Sequence, residues 1–298
     1  MVAGNSSARS RRPARVGRPV AVIGTGVAAL ALLGGCSVDD AFAFGWPKGG
    51  VTQQSRQMFD LWIGSAIAAL AVGVFVWGLI FWCVIRYRKR GDELPPQTRY
   101  NMPMEVLYSV APFLVVAVLF YYTAVVQTSV NKEEHADVRV NVVAFKWNWQ
   151  FVYLDDNAKD KAGHQVSTIG SSEYIPVLVL PTGKRIRFLE DSKDVIHSFW
   201  VPELLFKRDV IPGYQNKFEV TIEKTGAFVG RCAELCGPYH SMMNFELRAV
   251  TPERYDSFIQ NKKAGMSTPD ALRAIGEEPL ATTTHPFPTQ RTASTAVK

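Results

Sequence analysis

The sequence predicts a membrane-anchored all-β protein: a two-helix transmembrane hairpin followed by a β-barrel or sandwich. Three observations predict it. Two apolar runs, residues 61–85 and 106–126, contain no charged residue and satisfy the ~20 residues a helix needs to cross a bilayer. From about Val138 the apolar pattern changes to period two, as in V-R-V-N-V-V, which marks half-buried strands. Turn signals then punctuate the chain: P-T-G-K at 181–184, I-P-G-Y at 211–214 and K-T-G at 224–226, as expected of short strands in a sandwich or barrel.

The first 35 residues carry five arginines (Arg9, Arg11, Arg12, Arg15, Arg18) and no acid, then an apolar run ending in L-G-G-C. A basic region, a short apolar region and small residues describe a secretory signal peptide; the alternative is a short anchor that is never cut. The cysteine after L-G-G resembles the bacterial lipoprotein cleavage site, which implies that Cys36 is the lipid-carrying first residue of the mature chain. The formal charge of +6 falls to +1 once those five arginines are removed. The basic balance therefore belongs to the leader and does not point to nucleic acid, for which the sequence has no binding motif.

Between the two spans lies R-Y-R-K-R-G-D-E-L-P-P-Q-T-R, with five basic residues against two acids. The positive-inside rule places this loop in the cytoplasm and both termini outside, in agreement with a lipidated Cys36. Trp62, Trp82, Tyr121 and Tyr122 fall near the span ends, where aromatic belts form. Cys83, inside the first span, reads as a packing residue.

Residues 36–130 thus form an outer segment and hairpin, and 131–263 an outer β domain. Val143, Phe145, Trp147, Trp149 and Phe151 share a parity opposite to that of V-R-V-N-V-V. That flip predicts a bulge or bend near residue 144. Further strands are expected over 175–180, 185–189, 217–222, 227–231 and 244–250. Residues 264–298, rich in Thr, Pro, Ala and Ser, read as a poorly ordered extension.

The chemistry concentrates in C-A-E-L-C-G-P-Y-H-S-M-M, residues 232–243, which holds two of the four cysteines beside a histidine and methionines. Outside a bacterial membrane two near cysteines can be a disulfide, and C-x3-C-x3-H is close to zinc spacing. A disulfide leaves His240 and Met243 without a purpose, and methionine is a poor zinc ligand. Thiolate, thioether and imidazole form a soft set that suits copper, and two thiolates can bridge two metals. Each of two coppers still needs a nitrogen: His240 lies in the loop, and His197 in D-V-I-H-S-F-W is the best placed of the other histidines. Met243 shares parity with Phe245 and Leu247, so it fits a core position as well as a ligand.

This loop, with D-V-I-H-S-F upstream, resembles the binuclear copper centre of subunit II of the cytochrome c oxidases. The likeness spans about residues 50–260, including the hairpin, F-K-W-N-W-Q-F-V-Y and K-R-D-V-I-P-G. It implies a cupredoxin-like β-barrel on the outer face of the bacterial plasma membrane. It also implies that Cys232 and Cys236 bridge two copper ions, that His197 and His240 bind one each, and that Met243 and the backbone carbonyl of Glu234 are weak ligands. The Glu234 carboxylate would help hold a Mg2+ or Mn2+ shared with subunit I. Trp147 would be where electrons enter from cytochrome c or a c-type haem domain, and Glu105 would lie at the mouth of a proton path. No C-x-x-C-H is present, so the donor haem is on another protein or domain. Asp155 and Asp156 can help dock a basic donor or simply form a turn. The implied function is an electron-transfer subunit that passes electrons to haem in subunit I, where oxygen is reduced to water with proton pumping. The alternatives are a structural subunit II of a quinol oxidase and a membrane-anchored copper-binding protein.

Overall fold

The computed structural model describes residues 43, 45–47 and 49–286. The predicted leader and Cys36 lie outside the described residues. The first helices among the described residues are α1 (Gln53–Arg86) and α2 (Met102–Val130), both long and apolar enough to cross a membrane. At 1.5 Å per residue they are roughly 50 and 43 Å long, against ~30 Å of hydrocarbon. Each therefore runs beyond its predicted span.

Ten strands follow: β1 (Val138–Phe145), β2 (Asn148–Tyr153), β3 (Ser167–Ile169), β4 (Val177–Pro181), β5 (Arg185–Ser192), β6 (His197–Val201), β7 (Phe206–Val210), β8 (Asn216–Thr221), β9 (Gly226–Cys232) and β10 (Asn244–Val250). They form two five-stranded sheets, β3-β2-β1-β5-β8 and β4-β10-β9-β6-β7. Pairing is antiparallel except for β1 with β5 and β4 with β10. The sheets enclose an aromatic core. Phe188 stacks on Phe218 with centroids 4.7 Å apart, and Phe199 stacks on Phe245 at 4.8 Å. Phe151 and Trp149 meet Phe245 edge-on. Such ring pairs contribute about 0.5–1.5 kcal/mol each beyond their buried area.

The predicted bulge or bend near residue 144 is a complete reversal of the chain. β1 and β2 are two strands of a tight hairpin, with Phe145 opposite Asn148 and only Lys146 and Trp147 between them. Opposed residues share a face, so Val140 and Val142 of one parity point inward with Tyr153 and Phe151 of the other. The turn, not a kink, reverses the phase.

The C-terminal expectation needs correction for residues 264–286; residues 287–298 lie outside the described residues. After α3 (Pro252–Lys263), residues beyond 264 form α4 (Thr268–Ala274), whose Ala271 and Leu272 are buried in the main core. Glu246 and Arg248, side by side on β10, then hold the chain down. Glu246 accepts from the amides of Thr282 and Thr283 at 2.6 and 2.8 Å, and Arg248 donates to the carbonyls of Glu278 and Leu280. The composition looked like a loose tail because its anchoring partners are 30 residues away on a strand.

The membrane hairpin is fixed to the sandwich at both ends. Thr52 and Ser55 form a reciprocal capping box, each hydroxyl accepting the other's amide at 2.9 Å, a common device for closing a helix start. Gln54 accepts from the Thr221 amide at 3.1 Å, and the Glu223 amide donates to Val51 at 2.9 Å. α1 therefore starts on the edge of β8. At the far end of α2, Asn131 accepts from Arg208 of β7 at 2.8 Å.

Candidate metal centre

Three elements converge at one end of the sandwich. β6 begins at His197, β9 ends at Cys232, and the loop between β9 and β10 carries Cys236, His240 and Met243. Phe199 pairs with Cys232 across β6 and β9. His197, two residues from Phe199, shares its inward face, so the histidine and the first cysteine point into the same end of the core. The Cys232 amide donates to the Met243 carbonyl at 3.0 Å and the Ala233 amide to the Ser198 carbonyl at 3.0 Å. These bonds close the loop over His197.

The donor atoms collect tightly. Cys232 Sγ lies 3.8 Å from His197 Nδ1, 3.3 Å from the Glu234 carbonyl oxygen and 3.9 Å from Cys236 Sγ. Cys236 Sγ lies 3.6 Å from His240 Nδ1 and 3.9 Å from Met243 Sδ. His197, Cys232 and Cys236 are buried and offer ligand atoms within 4.8 Å of one another. Both cysteines are free, and their separation is far beyond the ~2.05 Å of a disulfide bond. Met243 is fully buried and lies against a thiol, so the core position and the ligand position are the same place.

The thiols differ. Burial pushes Cys232 up, but hydrogen bonding to His197 and to the backbone of Glu234 and Ser198 outweighs it and brings the thiol down to about 7. Burial, with the neighbouring Cys232, pushes Cys236 up. A site built this way holds one proton less readily than two separate thiols would, which favours a cation between the sulfurs. The set of two sulfurs, two imidazoles, a thioether and a carbonyl fits a soft metal and is compatible with copper.

The chain is 45% identical to a probable cytochrome c oxidase subunit 2 of Nocardia farcinica, over 97% of this chain and 92% of that one. The chain belongs to the cytochrome c oxidase subunit II family. It is also 44% identical to cytochrome c oxidase subunit 2 of Mycobacterium bovis, over 94% of this chain and 91% of the relative. The family profile described as cytochrome C oxidase subunit II, periplasmic domain, matches residues 138–250. As a subunit II, the chain is part of an oxidoreductase, a haem–copper terminal oxidase, and its cupredoxin-like domain stands outside the membrane on two apolar helices.

In this subunit II, Trp147 lies at the β1–β2 turn beside the metal loop. Its Nε1 donates to the Cys236 carbonyl at 3.1 Å, and its ring meets Tyr239 edge-on at 4.8 Å. Trp149 does not share that position: it is fully buried and donates to the Met243 carbonyl at 3.3 Å. Gly237, with φ +123°, passes so close that a Cβ would lie 3.2 Å from the Trp147 ring.

Glu105 is not part of this site. It lies in the first turn of α2, where it accepts from the Asn101 amide at 2.9 Å, and α2 carries it roughly 40 Å from the outer domain. Asp155 is also elsewhere, at the other end of the hairpin from Trp147, where it accepts from the Arg139 amide and side chain. That pairing is structural and gives no acidic patch beside the tryptophan. His135, His164 and His285 are exposed and apart from the loop.

Sequence reasoning missed Asp194. It accepts from His197 Nε2 at 2.8 Å, which turns Nδ1 towards Cys232, and it also accepts from the Lys146 amide at 2.7 Å. A carboxylate behind a ligating histidine fixes tautomer and ring orientation. The available signal was D-V-I-H, an acid three residues before the histidine. Burial pulls His197 down, and the bonds to Cys232 and Asp194 outweigh it and leave it raised.

Proposed function

We propose that this chain is the electron-accepting subunit of a bacterial cytochrome c oxidase. In this reading it takes electrons one at a time from cytochrome c or a c-type haem domain and passes them to haem in subunit I, where oxygen is reduced to water with proton pumping. The observation that carries it is the convergence of four donor atoms from residues 197–243 around the two free thiols.

Cys232 and Cys236 would bridge two copper ions, with His197 and His240 as one nitrogen ligand each and Met243 and the Glu234 carbonyl as weak ligands. Bound there, the pair supplies a one-electron carrier whose charge is shared over both metals. The protein's part is to hold the donors still. Cys232 gives up its proton easily, Asp194 aims His197, and Met243 closes the site from the apolar side. Trp147 presents an indole whose edge is tied to the Cys236 carbonyl, so an electron arriving at the ring is one hydrogen bond from a bridging residue. The Glu234 carboxylate, between the cysteines, is assigned to a Mg2+ or Mn2+ shared with subunit I. Glu105, at the cytoplasmic start of α2, is assigned to the mouth of a proton path. Cys36 is assigned as the lipid-carrying residue, with the two helices crossing the bacterial plasma membrane and the copper domain on its outer face.

The test is a copper count and paramagnetic resonance spectrum of the full chain in detergent. Two coppers sharing one unpaired electron are expected. One localised copper, zinc, or no metal removes the mechanism and returns the chain to a structural role.

A further inference from the structure

One acid in the outer domain has no part in the metal loop. Glu190 is fully buried, and neither carboxylate oxygen has a hydrogen-bond partner among the described residues. Register shows where it points. On β5 it follows Ile186 and Phe188 at period two, and it lies opposite Val142 of β1 and Asn216 of β8. It faces the interior of the sandwich. On β7, Arg208 lies opposite Phe199, between the pairs Val201–Phe206 and His197–Val210. Opposed residues share a face, so Arg208 faces inward as well. Its Nε is buried without a partner, its guanidinium lies 4.9 Å from the Phe206 ring centre, and its Nη2 reaches Asn131 at the end of α2.

A carboxyl group and a guanidinium thus look into the same interior from the two sheets, each with unmet hydrogen-bonding capacity. Beside Glu190, β1 offers Val142 and β8 offers Asn216. The charged neighbours are Arg208 and Asp209 of β7. Lys217 and Glu219 of β8 alternate to the other face, as do Arg187 and Asp191 of β5. β7 and β8 are the last strands of their sheets.

We propose that Glu190 is an internal proton-binding site of the outer domain, with Arg208 as its charge partner, and that its proton is linked to the electron on the metal centre. An unpaired carboxylate is unfavourable in an apolar interior, whereas the neutral acid is not. Burial accordingly pushes the carboxyl up to about 9, Arg208 offsetting only part of the rise and Asp209 adding to it. At neutral pH the group holds its proton. Linkage to the metal follows from charge: an added electron favours the proton, and by reciprocity the proton favours the electron. In the pH range where Glu190 titrates, each electron accepted brings up to one proton from the surrounding water onto the carboxylate. Each electron given up returns it. The proton site stands on this chain's own residues; the linkage rests on the copper reading above.

The experiment is infrared spectroscopy of the full chain in detergent, metal-free and copper-loaded, with a redox titration of the loaded form across pH. A carboxylic-acid band is expected at pH 7 that shifts in deuterium oxide, fades as pH rises through about 9, and is absent from Glu190→Gln. The midpoint potential is expected to fall with pH across that window in the native chain and to stay flat there in Glu190→Gln. Should that variant fail to fold, Arg208→Gln serves: removal of the cation moves the fading of the band to higher pH. Absence of the band at pH 7 overturns the proton site. A band with the same potential slope in native and variant chains overturns the linkage. Failure to bind two coppers defeats the copper reading alone, because the metal-free titration still decides Glu190.

Discussion

The indole nitrogen of Trp147 donates to the carbonyl oxygen of Cys236, 3.1 Å away. That hydrogen bond ties the β1–β2 turn to the loop that carries the free thiol of Cys236. Trp147→Phe keeps a ring but loses this bond. Electron uptake from a reduced cytochrome c, followed by stopped flow, is expected to slow by tenfold or more, while the copper spectrum stays nearly the same. The stability cost is about 1 kcal/mol. An unchanged uptake rate would leave Trp147 as packing alone.

Gly237 permits the same contact. Its φ of +123° is a region L side chains avoid, and a Cβ would press on the indole at 3.2 Å. Gly237→Ala is expected to displace Trp147 from the Cys236 carbonyl, lowering both copper retention and the electron-uptake rate. The check is the two measurements on one sample; a variant with native values for both would show that the loop gives way freely.

Asp194 holds His197 through Nε2 and is not itself one of the donor atoms that converge on the thiols. Asp194→Ala is expected to weaken copper retention by about 10–100-fold and leave the sandwich folded, as read by competition with a chelator. Met243→Leu should keep the metal count and move the midpoint potential, while Cys232→Ser should abolish the shared-electron signal.

Glu246 provides the pH-dependent clasp of the C-terminal segment. Burial raises its carboxyl, but the Thr283 amide and Arg248 outweigh that and hold it below its ordinary 4.5. A native value below the unfolded one means the ionised form stabilises the fold. The contribution is complete above about pH 4.5 and is lost as pH falls through the lower native value. Hydrogen exchange at residues 277–283 is expected to rise in that acid range before the central strands open. Glu246→Ala leaves the buried Arg248 with only the Glu277 carboxylate, 3.4 Å away, and is expected to cost up to about 3 kcal/mol.

Glu190 has the opposite sign. Its native value is raised, so its contribution is complete below the ordinary carboxyl range and is lost as pH rises towards about 9. Glu190→Gln should make the thermal midpoint less dependent on pH between those limits. Equal pH dependence in both chains would mean that Glu190 is not the group responsible.

Much of this protein was legible in sequence because its signals are local. Helix crossing requires only a long uncharged run, and period-two alternation identifies a strand wherever one face is buried. The spacing C-x3-C-x3-H-x2-M puts four donors into a single loop, so the copper-type set could be read from twelve consecutive residues. What needed the tertiary structure are relations between segments far apart in the chain. Periodicity registers a change of phase but not its cause, so the β1–β2 hairpin looked like a bulge or bend. β6 and β7 are short and were not expected as strands, although they carry His197 and Arg208. The residues past 264 have a loop-like composition, and only the buried Glu246–Arg248 pair shows where their hydrogen bonds go. Asp194 became meaningful once folding set its carboxylate behind His197, and Glu190 once two sheets closed over it. Local order is fixed by neighbouring residues, whereas burial and charge pairing are fixed by what the fold brings from elsewhere. The sequence alone therefore determined the membrane anchor, the β class and the ligand loop; the tertiary structure decided orientation, protonation and the role of the C-terminal segment.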